Sequence, residues 1–320
     1  MSDSEPDRVP WPEIAVFLAI TLLIPWVLTA PFHLGLAAFE GVVALVVAAA
    51  MMWAPTIATI VTLLLFDRRA GWWRRVGLGV PGGRWLRFLG VMALALVVPL
   101  IVSFAAPFAG AALGWIRLDL TGLSGLRELM EAQLAGSGMT VEQALGGLPL
   151  WIVVATAPIN MVLGAFINVV LGTFGEEFGW RGFLQPRLDP MGAVASLVLV
   201  GVIWGFWHAP IILLGHNYPD APVLGVFLFV PFCVIWSILL GATRRWTGSL
   251  WPAALGHGAI NASAGFIAMV IAAGEELDAI WVSPVGISGM ILPFLLAAVV
   301  VIALVLRPGT TEDARSQPAA

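Results

Sequence analysis

Eight continuous apolar runs dominate this sequence, at about residues 13–31, 41–66, 88–113, 150–173, 191–214, 222–241, 249–272 and 284–306, the fourth extending toward 185. Each is long enough for an α-helix, rising ~1.5 Å per residue, to cross a hydrocarbon layer of ~30 Å. The runs do not alternate and far exceed the ~9–11 residues of a barrel strand. The expected fold is therefore all-α: a polytopic transmembrane helical bundle of about eight spans, with lipid as its solvent. Composition agrees, because 60% of the residues are hydrophobic and only 11% charged, against roughly 45–50% and 25% in soluble domains. A water-soluble fold of this length would lack the polar side chains to cover itself.

All fifteen basic residues are Arg, and their placement gives an orientation. With eight spans, Arg8, Arg68, Arg69, Arg74, Arg75, Arg84, Arg87, Arg181, Arg187, Arg244, Arg245, Arg307 and Arg315 fall on one side, and only Arg117 and Arg127 on the other. Arginine marks the inner face, so both termini are expected in the cytoplasm of a cell-membrane protein. Asp3, Glu5 and Asp7 give the N-terminus the wrong charge for a secretory leader, and the first span is expected to stay as an anchor. A single cysteine, Cys233, and a formal charge of −4 exclude a disulfide scaffold, a cysteine metal cluster and a nucleic-acid partner. Nothing in the sequence sets an oligomeric state.

Five regions follow: a cytoplasmic tail at 1–12, transmembrane helices and loops at 13–148, a helical core carrying the candidate chemistry at 149–272, a last transmembrane helix at 273–306, and a disordered cytoplasmic tail at 307–320. The loop at 67–87 carries Arg together with Trp72, Trp73 and Trp85 and suits the headgroup layer. In the outer stretch 114–149, a short amphipathic helix is expected from Ser124 to Leu134. No internal repeat of the inverted-transporter kind is present.

An ionisable group inside an apolar run costs roughly 2.5–3.5 kcal/mol or more and needs a partner or a task. Such groups gather in one third of the chain. In Gly175-Glu176-Glu177-Phe178-Gly179-Trp180-Arg181, Glu177 and Arg181 are four apart and share a helical face, so they can pair. Glu176 points about 100° away, without that counter-charge, and is suited to accept a proton from water. Pro186 is the expected end of this helix. In Trp204-Gly205-Phe206-Trp207-His208, the imidazole can act as acid, base or ligand, and Gly201 with Gly205 invites close approach of another helix. His257 and Asn261 are again four apart, and a donor pair at a dry site is what a developing oxyanion requires. Blander readings remain for each: solvated charges at a helix end, a hydrogen-bonded core histidine, and interhelical glue. His33 and His216 read as incidental loop residues, and Cys233 as an inert buried thiol.

Taken together and in order, Glu-Glu-x-x-x-Arg, an aromatic-x-x-x-His and His-x-x-x-Asn resemble the CAAX protease and bacteriocin-processing family, intramembrane glutamic endopeptidases also known from abortive-infection proteins. The resemblance covers about residues 150–265, and the first 148 residues add helices but no motif. It implies Glu176 as general base acting with His208 on the attacking water, His257 and Asn261 as oxyanion donors, Glu177 and Arg181 as a structural pair, and no cofactor. Its substrate would be a membrane-associated protein or peptide, with prenylation not specified. Trp204 stands where the family pattern has Phe, a departure expected to alter packing beside the site but not its proton chemistry. Two other readings use the same residues: a zinc protease with Glu176, His208 and His257 as ligands, and a non-catalytic membrane immunity factor, scaffold or transporter.

Overall fold

The computed structural model describes residues 8–67, 71–80 and 84–306. Arg68, Arg69, Arg307 and Arg315, most of the expected N-terminal tail and the whole of the expected tail at 307–320 lie outside the described residues. Among those described, eight helices are long and apolar enough to cross a membrane: α1 (Trp11–His33), α2 (Gly41–Phe66), α3 (Trp85–Ala112), α4 (Trp151–Met191), α5 (Ala193–Ile212), α6 (Pro222–Thr247), α7 (Trp251–Val270) and α8 (Ile287–Leu306). They form an all-α bundle, and the described residues contain no strand, only an isolated bridge between Leu118 and Ile271. The boundaries follow the apolar runs because a segment in lipid must satisfy its backbone internally.

Helix α4 departs from expectation by running through Pro186 to Met191 and turning only at Gly192, whose φ of 101° favours glycine. Within it, π-helical turns at Val169–Thr173 and Phe178–Leu184 flank the short α-helical stretch Phe174–Glu177. A proline costs a helix one N–H and crowds the preceding turn. Here the preceding turn is already widened, and the carbonyl five residues before Pro186, that of Arg181, accepts from Arg244 Nε instead (3.3 Å). Side chains of α2 satisfy other carbonyls of the widened region: Trp53 Nε1 donates to Leu171 O (2.9 Å) and Thr56 Oγ1 to Gly175 O (2.8 Å).

Three close helix contacts position the central residues. Helix α5 lies on α6 through the expected small-residue face, where a Cβ on Gly201 would sit 2.5 Å from Val234 Cα and one on Gly205 2.7 Å from Val230 Cα. Helix α7 packs between α3 and α4, with Thr173 Oγ1 donating to Ala254 O (3.0 Å). The second half of α2 presses Pro55 against Gly179 of α4. Gly201→Ala is expected to destabilise the protein by about 1–3 kcal/mol, because backbone rather than a flexible side chain blocks the new methyl. Thermal unfolding in detergent reads this out, and Gly265→Ala, where nothing lies within 4 Å, should leave the midpoint unchanged.

The expected short helix Ser124–Leu134 is present in the segment between α3 and α4. The chain leading to it is fastened to the end of α7 by Asp119 N donating to Val270 O and Ala272 N to Arg117 O, both 2.9 Å. At the opposite end of the bundle, Arg187 pairs with Glu13 (2.7 Å) and Arg245 with Asp189 (2.5 Å). Arginine pairs are present at both ends, since Arg117 meets Glu275 (2.5 Å) and Arg127 meets Glu142 (2.6 Å) beside the backbone-tied cap.

Candidate active site

Four motif residues of α4, α5 and α7, Glu176, Arg181, His208 and His257, converge on one side chain, the indole of Trp204. Its Nε1 donates to Glu176 Oε2 at 2.7 Å. The Arg181 guanidinium lies 4.9 Å over its ring, and the His257 and His208 rings stand 5.0 and 5.9 Å from it. Trp204 is buried. Sequence reasoning understates this residue, which touches the carboxylate directly instead of only setting packing. The departure from Phe adds an N–H at the place where the candidate base sits.

Glu176 is buried and makes no ion pair among the described residues, but it is not bare. Trp180, four residues on and therefore on the same face, donates a second and longer hydrogen bond to the same Oε2 (3.3 Å). Both indoles thus hold one carboxylate oxygen, and no protein donor among the described residues engages Oε1. Two N–H dipoles stabilise a carboxylate without neutralising it, whereas a guanidinium would do both.

Glu177 is fully buried and shares Oε1 between Arg181 Nη1 (2.8 Å) and His257 Nδ1 (2.9 Å). The i,i+4 pairing with Arg181 was visible in the sequence, but the link to α7 was not, being 80 positions distant. A carboxylate only accepts, so Nδ1 carries a ring proton and Nε2 is the nitrogen left for other contacts. Arg181, also fully buried, leaves Nε and Nη2 without hydrogen-bond acceptors among the described residues and rests its plane on Trp204.

His208 caps the end of the regular helix of α5 and is packed edge-on against Trp207 and Phe229, each 4.7 Å away. Its Nδ1 contacts the Trp204 carbonyl at 2.9 Å. A carbonyl cannot donate, so Nδ1 bears the proton and Nε2 holds the lone pair. Asn261 lies one turn beyond His257 on α7 and is exposed. No group of three or more His, Cys, Asp or Glu residues among those described is arranged to hold a metal ion. Cys233 is buried and free. His216 is exposed on the loop after α5, while His33 donates to the Pro210 carbonyl (2.9 Å) and so fastens the end of α1 beside the turn carrying His208.

The convergent residues coincide with a match to a known family. Residues 158–263 fit the family model of the Rce1-like type II CAAX prenyl endopeptidases, and this segment holds every candidate residue named above. No curated protein matches the chain significantly. Residues 158–263 are thus similar to the Rce1-like type II CAAX prenyl endopeptidases, and with the eight apolar helices this match supports a protease of that type in a multi-pass membrane protein.

Proposed function

We propose that this protein is an intramembrane glutamic endopeptidase that hydrolyses a peptide bond of a membrane-associated protein or peptide without a metal. The observation that carries the reading is the state of Glu176: a buried carboxylate that makes no ion pair among the described residues, gripped through Oε2 and open at Oε1. Beside it stands the indole that both motif histidines flank. Water held between Glu176 Oε1 and the lone pair of His208 Nε2 attacks the carbonyl carbon as its proton passes to Glu176. The resulting oxyanion accepts hydrogen bonds from His257 Nε2 and Asn261 Nδ2. When the C–N bond breaks, the proton on Glu176 goes to the departing amine. The products are a carboxylic acid and an amine, and no acyl-enzyme forms.

Donation from His257 Nε2 requires that both ring nitrogens bear protons. Glu177 accepts from Nδ1 and stands as the counter-charge when the ring takes up that second proton. For zinc, the atoms left free are of the right kind, Nε2 of each histidine and Glu176 Oε1, but among the described residues His208, His257 and Glu176 are not arranged as a group that could hold the ion.

The test is cleavage by purified protein in the presence of a strong zinc chelator, together with the membrane peptidome of cells carrying wild type or His208→Ala. Undiminished activity with chelator and loss of specific fragments in the variant are expected. Activity abolished by chelator and restored by zinc would favour the metalloprotease reading, and identical peptidomes would favour a non-catalytic role. We further place the end of the bundle that carries Arg187 and Arg245 in the cytoplasm. A cysteine introduced at exposed Glu276, in the loop after α7, should then react with an impermeant reagent from outside intact cells, and protection there would reverse the orientation.

A further inference from the structure

We infer that Trp204 is a positioning residue for the reaction: its indole N–H, with that of Trp180 behind it, clamps Glu176 Oε2 and so assigns Oε1 as the oxygen that takes the proton from water. The inference rests on Glu176 being the general base, and deepens that reading by saying how a carboxylate without an ion pair among the described residues is oriented.

The geometry is asymmetric in an informative way. A carboxylate has two equivalent oxygens and about four lone-pair sites, and an unrestrained one rotates about its last torsion, presenting either oxygen in a broad range of angles. Here both donors fall on one oxygen, from two different helices: Trp180 from the turn following Glu176 on α4, and Trp204 from α5. Trp204 makes the shorter contact, 2.7 Å against 3.3 Å, the length of a charge-assisted bond. Its own orientation is fixed on several sides, by the Arg181 plane, the His257 ring and the His208 ring. The clamp is therefore made by an anchored donor, and the same residue offers its backbone carbonyl to His208 Nδ1 (2.9 Å). One residue thus sets the carboxylate oxygen through its side chain and the imidazole tautomer through its main chain. Phenylalanine at this position would keep the second function and lose the first.

The expected behaviour follows from what is removed. Trp204→Phe should lower kcat about 10- to 100-fold, the scale of a hydrogen bond to a charged acceptor, with KM unchanged, because the indole orients the base and does not bind substrate. Trp180→Phe, which removes the longer bond, should lower kcat less. Since Trp204 is buried and the smaller ring could loosen the bundle, a second variant separates packing from hydrogen bonding. It places at position 204 a tryptophan analogue in which sulfur replaces the indole N–H, keeping the ring's shape.

Solution NMR of the 15N-tryptophan-labelled full chain in detergent supplies a readout independent of turnover. The Trp204 indole resonance, identified by its absence in Trp204→Phe, should move on Glu176→Gln. A moved resonance together with a kcat loss in the sulfur analogue supports the inference. An unmoved resonance, or full kcat in the sulfur analogue while Glu176→Gln is inactive, overturns the clamp and leaves Glu176 as base. Full activity of Glu176→Gln overturns the base reading, and the clamp with it.

Discussion

Glu176→Gln is expected to abolish detectable proteolysis while leaving the protein folded. Glutamine has the same shape, and its side-chain carbonyl can still accept from Trp204 and Trp180, so the two indole contacts at 2.7 and 3.3 Å can persist. With the carbonyl held there, the amide NH₂ occupies the place of Oε1. A proton acceptor is thereby exchanged for a proton donor at the atom facing the water. Loss of general-base assistance costs roughly 10²- to 10⁴-fold in rate, enough to remove activity from an ordinary peptide assay. The check is cleavage of a membrane-peptide reporter alongside thermal unfolding in the same detergent. A variant that cleaves at the wild-type rate would show that Glu176 is not the base.

Glu177→Ala is expected to act on stability first. Its carboxylate oxygen is shared by Arg181 and His257, so truncation leaves a fully buried guanidinium with no counter-charge and an imidazole N–H with no acceptor. Breaking a buried pair from one side costs about 3–5 kcal/mol, a large fraction of a typical total of roughly 5–15 kcal/mol. Removing both charges should hurt less than removing one. Glu177→Leu with Arg181→Met is accordingly expected to unfold at a higher temperature than Glu177→Ala alone, while remaining inactive because His257 has lost its support. The measurement is a double-mutant comparison of unfolding midpoints. Single variants as stable as wild type would mean that the pair contributes nothing to the fold.

The spans were legible because lipid leaves few options. A backbone in hydrocarbon must close its own hydrogen bonds, and that demand is written in the sequence as continuous apolar runs, which match the helices to within a few residues at most ends. The Glu177–Arg181 pair and the Trp180 contact to Glu176 are both four-residue relations on one helix. Opposite charges make the first conspicuous, whereas an indole N–H among apolar neighbours does not advertise the second. The links from Trp204 to Glu176 and from His257 to Glu177 join different helices, and no local spacing encodes them. Pro186 misled for a related reason. Its effect on a helix depends on whether the preceding turn is widened and whether another side chain, here Arg244, takes the carbonyl it cannot serve.

The π-helical turns of α4 also bear on how this segment tolerates changes in length. A π turn accommodates an extra residue within an otherwise α-helical path. Losing one residue between Phe178 and Leu184 would let the chain relax into an ordinary α-helix, with little local disturbance of its apolar packing. Because the π turn already absorbs the additional residue, the helix beyond such a deletion would keep its rotation relative to Glu176, and Arg187 would still meet Glu13 and Asp189 Arg245. A single-codon deletion in the regular α-helical part of α4, Trp151–Asn168, has no such slack, and everything beyond it would rotate by about 100°.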